Sequence, residues 1–425
     1  MSNLLVVAEK PSVARSIASV LNAAKREDGF FIGNGYLVSW CVGHLVELAQ
    51  ADAYGEQYKR WRYEDLPILP SQWQYVVPKD KRKQLAVLRE LMKRPDVGTV
   101  VCATDAGREG ELIFRLVYDY CKCKKPVQRL WISSMEDAAI QEGFASLRDG
   151  SVYESLYAAA LCRAHADWLV GINATRLFSV LYGQTLNVGR VMTPTLALMV
   201  NREADILAFK KEPFYVPEIY CGGFTASGEK MKEKTAAEGI CAACDGQTAT
   251  VVSVEKQEKT AQPPRLYDLT TLQRECNRLY GFTAQQTLDY LQSLYEKKLA
   301  TYPRTDSQYL TEDMTATAGS IGNYLLMRLP CAKGLSYTAN MKRVTDNSNV
   351  SDHHAVIPTA GIANTDFDVL PAGERDVLML IAARLLCATA APHAYETVTA
   401  ALDCTGHSFT AKGKTVLHPG WKGLE

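Results

Sequence analysis

A chain of 425 residues, 47% of them apolar and 22% charged, exceeds what one hydrophobic core usually organises, so two to four domains are expected, some of them discontinuous. No uninterrupted apolar stretch is long enough to span a bilayer, which excludes a helical membrane protein. Lys plus Arg and Asp plus Glu number 47 each, so the net charge leaves no basic footprint of the kind nucleic-acid binding usually shows.

The chain begins Met1, Ser2, Asn3 and runs through a short apolar stretch to Glu9 without a basic region or cleavage site, which points to a cytoplasmic rather than a secreted protein. Residues 1–150 alternate apolar runs with helical patterns: Leu4 to Ala8 then Val13 to Leu21, Thr99 to Ala103 then Glu111 to Tyr120, and Arg129 to Ile132 then Asp137 to Leu147. This alternation predicts a largely parallel sheet with crossover helices. Gly33-Asn34-Gly35, between Phe30 to Ile32 and Tyr36 to Trp40, reads as a hairpin turn inserted into it. Residues 151–212 read as helical, broken near Gly183 to Gly189. Residues 213–266 and 393–425 read as strands, and 267–392 as a helical module inserted between them, with a capping-box pattern at Thr283 and Gln286. Such an insertion connects through two adjacent strands, a plausible hinge. The fold class expected is therefore α/β with added α and β modules.

Two local features have bland readings. The stretch from Lys79 to Arg94 holds seven basic and two acidic residues, and Arg60 sits among aromatic rings between Tyr58 and Tyr63; each reads equally well as a solvated surface. Twelve cysteines scattered from Cys41 to Cys404 suit reduced thiols, since Cys241 and Cys244 have zinc-knuckle spacing but no second pair in sequence. Lys412-Gly413-Lys414-Thr415 looks like the end of a phosphate-binding loop, but Ser408 stands where the first glycine is required, so no nucleotide-triphosphate site is supported.

Ligands of open parallel sheets bind beyond the carboxyl ends of strands, and Glu9 and Asp105 each follow an apolar strand directly. With Glu109 and Glu111 as further acids at the opening of the next helix, a Mg²⁺ ion has a candidate site there. VVAEKPSVA near the start and ATDAGREGELIF at 103–114 resemble the two halves of the metal site in the Toprim domain of type IA DNA topoisomerases, and the resemblance implies Glu9, Asp105 and Glu109 as the ligands. The family pattern carries a second aspartate where this chain has Gly107. Residues 300–307, Ala-Thr-Tyr-Pro-Arg-Thr-Asp-Ser, resemble the family's active-site segment. The resemblance implies that Tyr302 is the nucleophile that keeps a 5′ phosphate, with Arg304 steadying the phenolate and phosphate. Because Pro303 breaks the helix there, Tyr302 is expected on a connecting segment where it can be exposed.

Ser351 to Thr359 is similar to the family's histidine motif, which implies that His353 positions or protonates the phosphate. Lys10 resembles the family lysine that stabilises charge at the scissile phosphate. RAHADWLVGINAT at 163–175 and NVGRVMTPTL at 187–196 resemble segments lining a single-strand DNA groove. They make Arg60, Arg163, Asp167, Arg176, Asn187, Val188, Gly189, Arg190, Val191 and Met192 candidate DNA-binding residues; Asn187 and Met192 replace the family's Ser and Gln. AEKPS, RAHADWLVGIN and YPRTDS look closest to the topoisomerase III branch.

The resemblance thus implies an N-terminal Toprim domain and ATP-independent strand passage by a nucleoid-associated enzyme. Mg²⁺ would be the cofactor, single-stranded or negatively supercoiled DNA the partner, and a helicase a candidate second partner. Family members continue well past Trp421, so a fragment with impaired relaxation is expected. Two rival readings are a non-catalytic single-strand DNA-binding fragment and a Toprim nuclease or primase.

Overall fold

The structure, a computed structural model, describes residues 2–133, 135–329, 338–350 and 353–424. It divides into two compact units. The first comprises Met1–Glu203, Asp268–Ser307 and Val350–Leu378, and the second Ala204–Tyr267, Gln308–Asn349 and Met379–Glu425.

The first unit opens with β1 (Asn3–Ala8), α1 (Pro11–Val20), β2 (Lys25–Glu27), β3 (Phe30–Gly33) and β4 (Tyr36–Trp40). Leu5 to Ala8 are all fully buried, which is why β1 reads as a continuous apolar run rather than an alternation: helices cover both of its faces. Pro11 sits in the first turn of α1, where its missing N–H is no loss. Asn34 and Gly35 adopt left-handed conformations, φ 48° and 80°, as a two-residue hairpin turn between β3 and β4 requires. A short ribbon of β5 (Glu47–Leu48) and β6 (Tyr75–Val76) follows. Next come α2 (Arg82–Lys93), β7 (Val97–Ala103), α3 (Arg108–Tyr120), β8 (Val127–Arg129), α4 (Asp137–Ala145) and β9 (Arg148–Asp149).

The main sheet has the order β2-β3-β4-β1-β7-β8-β9. β4, β1, β7 and β8 run parallel, and the outer strands antiparallel. This is the mostly parallel sheet that the alternation predicts, and it places the ends of β1 and β7, hence Glu9 and Asp105, side by side. β8 is shorter and earlier than the Arg129 to Ile132 run suggests. Arg129 is 1% exposed, and its guanidinium donates to the carbonyls of Cys102, Thr104 and Asp105, so it ties the sheet to the loop that bears Asp105. Glu111, also 1% exposed, lies between Arg115 at 2.9 Å and Arg129 at 3.1 Å. Gly110 completes this corner: a Cβ there would stand 2.1 Å from the Asp105 carbonyl oxygen.

α5 (Glu154–Tyr182) is closed by Gly183 in the left-handed conformation, φ 66°, the usual device for ending a helix. Trp168 of α5 packs with Ala51 and Ile68 and donates its indole N–H to the Ala49 carbonyl. After α6 (Met192–Ala208) the second unit provides β10 (Glu218–Tyr220), β11 (Thr225–Ser227), α7 (Lys234–Cys244) and β12 (Thr250–Ala261). α7 departs from the strands expected across this region: its Ala237 and Cys244 are buried, and Ile240 and Cys244 pack onto the sheet core. Alanine-rich sequence favours a helix here and tertiary packing holds it.

The chain re-enters the first unit with α8 (Leu269–Tyr280) and α9 (Ala284–Glu296), the latter opened by the Thr283–Gln286 capping box. α10 (Thr315–Arg328), α11 (Ala372–Thr389), β13 (His393–Cys404) and β14 (His407–His418) follow. β12 and β13 pair from Thr250 with Asp403 to Ala261 with His393, so the chain leaves and rejoins this sheet through neighbouring strands. Lys412 to Thr415 lie inside β14 and open no helix. Among the described residues, no helix is long and apolar enough to cross a membrane.

Replacing Arg129 by Leu leaves the Glu111 carboxylate buried with one partner fewer and removes a donor from four carbonyls, those of Cys102, Thr104, Asp105 and Leu130. Urea unfolding should show a loss of about 3 kcal/mol; an unchanged midpoint would remove Arg129 from its role as the tie between sheet and site.

Candidate active site and metal centre

Glu9 and Asp105 meet where β1 and β7 end. The Asp105 backbone N–H donates to Glu9 Oε2 at 3.2 Å. Burial, and then the neighbouring Asp105 charge, raise the Glu9 pKa from 4.5 to about 7, against the opposing pull of Lys10 and Arg304. Burial also raises Asp105, partly offset by its hydrogen bond from Tyr302 and by Lys10 and Arg304. Two carboxylates that resist ionising together form a site whose charge is unsatisfied.

Tyr302 reaches this pair directly. Its hydroxyl donates to Asp105 Oδ2 at 2.9 Å, and the residue is 8% exposed. The sequence places Tyr302 correctly on a connecting segment, but that segment is held inside the molecule. Thr301 N donates to the Ile357 carbonyl, Ile357 N to Thr301 Oγ1 and Thr305 Oγ1 to the His353 carbonyl; Tyr302 N donates to the Ser133 carbonyl. The tyrosine and histidine segments are thus fastened together and closed over the carboxylates. Burial, and then Asp105, raise the Tyr302 hydroxyl pKa above its ordinary value of 10, outweighing Arg304, so the residue rests as a phenol.

His353 is 5% exposed, its ring 4.1 Å from that of Tyr302 and tilted by 32°. Burial lowers its pKa to about 4 although the Ala106 backbone favours the protonated ring, so the imidazole is neutral. Nδ1 lies 3.3 Å from Ser133 Oγ, and Nε2 is buried without a partner in hydrogen-bonding geometry among the described residues. Ser351 and Asp352 of the same motif lie outside the described residues. Lys10 Nζ sits 3.2 Å from Glu296 Oε1, and Arg304 is exposed, with its guanidinium 3.5 Å from Gln292 Oε1.

Glu109 points elsewhere: its Oε1 lies 2.6 Å from His44 Nε2, and that contact leads in holding its pKa below the ordinary value. Among the described residues, no three His, Cys, Asp or Glu side chains are grouped to hold a metal ion. Glu9 and Asp105 are brought together; Glu109 stands apart from them. Gly107, extended at φ 171°, opens α3 and contributes no side chain.

The candidate DNA residues fall into two sets. Arg60, Arg163, Asn187, Arg190, Val191 and Met192 are exposed, and Val188 and Gly189 half-buried. Asp167 holds Arg190 through two bonds of 2.6 and 3.1 Å and lies 3.9 Å from Arg163. Arg176 differs from the surface contact expected of it: it is 8% exposed, donates to the Tyr58 carbonyl and stacks 5.4 Å from the Trp61 ring. It anchors the loop that displays Arg60. Sequence reasoning missed Ser133, Tyr295, Glu296, His44 and Arg129. Tyr295, packed edge-on against Tyr302, was open to discovery as a buried position of an amphipathic helix; the others carry no local signal.

The description "DNA topoisomerase" matches residues 151–425 and "Toprim domain" residues 4–135. The chain belongs to the type IA DNA topoisomerase family, with a Toprim domain at its amino end. Among curated proteins it is similar to DNA topoisomerase 3 of Bacillus cereus, 41% identical over 99% of this chain, and of Bacillus subtilis, 42% identical over all of it. It spans 59–60% of the length of these relatives. Full-length topoisomerase I of Thermotoga maritima shares the fold, with a TM-score of 0.73 at 22% identity over 99% of this chain and 67% of that one.

The raised Glu9 pKa has a testable sign. A carboxyl at about 7 when folded and 4.5 otherwise favours the folded state fully below pH 4.5, and that contribution is lost as pH rises through 7. In chelator-treated buffer, Glu9→Gln should match wild type near pH 4 and exceed it by roughly 2–3 kcal/mol at pH 8. A constant difference across pH would show that Glu9 ionises normally.

Proposed function

We propose that the chain carries the catalytic centre of an ATP-independent DNA topoisomerase, which cuts one strand through a 5′-phosphotyrosyl link and rejoins it. The observation that carries this reading is the Tyr302 hydroxyl bonded to Asp105 beside Glu9, with a neutral His353 against the same ring. A phenol is a weak nucleophile until its proton leaves, and Asp105 is placed to accept it. The Tyr302 oxygen would bond to phosphorus as the bond to the 3′ oxygen breaks, and that oxygen leaves with a proton. The bond energy stays in the tyrosyl ester, so resealing needs no nucleotide triphosphate.

His353 would serve as a neutral donor. With Nδ1 accepting from Ser133, Nε2 carries the hydrogen, and a phosphate oxygen would complete it. Arg304 would hold the phosphate, and Lys10, released from Glu296, would add a second cation. Glu9 and Asp105 fit a Mg²⁺ ion that keeps several waters, and Glu109 would have to leave His44 to join them. Bound there, the ion would offset the paired carboxylates and favour their ionised form. The exposed arginines around α5 and α6 would track the backbone of single-stranded or negatively supercoiled DNA. For strand passage, the segment bearing Tyr302 would part from the carboxylates.

The test is incubation with labelled single-stranded DNA and Mg²⁺, then denaturation. We expect a covalent adduct in wild type and none in Tyr302→Phe, with DNA binding retained. Binding by both proteins without any adduct would instead identify a non-catalytic DNA-binding chain, and cleavage surviving in the variant would point to a Toprim nuclease.

A further inference from the structure

The basic stretch in α2 is joined in the structure by a second one that sequence distance conceals. The last turns of α2 and the exit from α3 border an open depression of about 840 Å³, whose lining includes Arg89, Lys93, Lys122, Lys124 and Lys125 but only one carboxylate, Asp119. That carboxylate already accepts from the Tyr157 hydroxyl at 2.9 Å. Lys125 is spent inside the protein, donating to the Arg94 and Val97 carbonyls, and Arg89 lies over the Tyr120 ring at 5.6 Å. Lys93, Lys122 and Lys124 are exposed and form no ion pair among the described residues, whereas Lys81, Lys83 and Arg94 nearby each hold a carboxylate.

A last-turn lysine complements its helix dipole, which accounts for Lys93. It does not account for Lys122 and Lys124 beyond α3, or for their convergence with α2 on one hollow. The place also separates this patch from the catalytic centre. It lies where β7 and β8 begin, whereas Glu9 and Asp105 lie where β1 and β7 end, and seven residues of β7 put roughly 20 Å between them.

We propose that this hollow is a second binding surface for the phosphate backbone of DNA, at the pole of the sheet opposite the catalytic carboxylates. The proposal rests on the reading of DNA as the substrate. Three ammonium groups without an ion-pair partner among the described residues, at the rim of an open hollow, suit repeated phosphates without reading bases, and the exposed Tyr120 gives an aromatic ring beside them. The patch would hold a portion of the strand away from the cut.

The test compares wild type with K93Q/K122Q/K124Q, and with the charge-reversed K93E/K122E/K124E, after thermal melting has checked each fold. Binding is titrated against salt with a long single strand and with a trinucleotide too short to reach both poles. For the long strand, affinity at low salt should fall about tenfold or more in the glutamine variant and further in the glutamate one. The slope of log affinity against log salt should fall by about 2–3. Trinucleotide binding, and its Tyr302 adduct, should be unchanged. Long-strand affinity and salt slope equal to wild type would overturn the proposal. Charge-dependent long-strand binding without any adduct would sustain the second surface while overturning the cleavage chemistry, so the two readings fail separately.

Discussion

The hydrogen bond from the Tyr302 hydroxyl to Asp105 is the contact on which the rest of the site depends. It joins groups 197 positions apart and requires the sheet to present Asp105 at a strand end while the tyrosine segment folds back over it. The consequences are unfavourable in isolation: two buried carboxylates lie together, a phenol is kept from ionising, and a histidine nitrogen lacks a partner among the described residues. Folded proteins tolerate such groups mainly where a ligand supplies what is missing. Phosphate oxygens and a divalent cation would satisfy all three at once.

That arrangement needs a rigid frame, and the frame is built from buried charge. Arg129 and Glu111 sit under the site with hardly any exposure, and the Arg129 guanidinium grips the carbonyls at the end of β7 and of Asp105 itself. Gly110 lets α3 approach so closely that any side chain would strike the Asp105 carbonyl. The loop bearing Asp105 is therefore held by backbone contacts from below, which leaves its carboxylate oriented before any ligand arrives.

A chain with no net charge can still carry a strongly uneven field. Parallel strands gather the acids at one end of the sheet, while the helices returning between them deliver lysines to the other. Along α5, Asp167 binds Arg190 and approaches Arg163, which sets those guanidiniums in place at the cost of some of their field. Averaged over the whole chain these features vanish, and composition hides what topology separates.

Short-range signals carried much of the architecture. The Asn34-Gly35 turn, the Thr283 capping box and the Gly183 helix end were legible because each depends on neighbours a few positions away. So was the run of apolar residues leading into Glu9, since a parallel strand buried on both faces has no polar alternation. The motif around Tyr302 pointed to the residue and its segment. What the sequence could not settle was where side chains turn. The helix α7 stands where strands were expected because Ile240 and Cys244 found a sheet to pack on. Arg176 turned inward to Tyr58, Glu109 turned to His44, and Tyr302 was enclosed by strands of loop from Ser133 and Ile357. Burial, charge coupling and hydrogen-bond partners belong to pairs of distant residues, and no local pattern encodes them; the sequence by itself determined most of its elements and pointed to its candidate site residues, whereas tertiary structure alone decided which of them meet and in what state of ionisation.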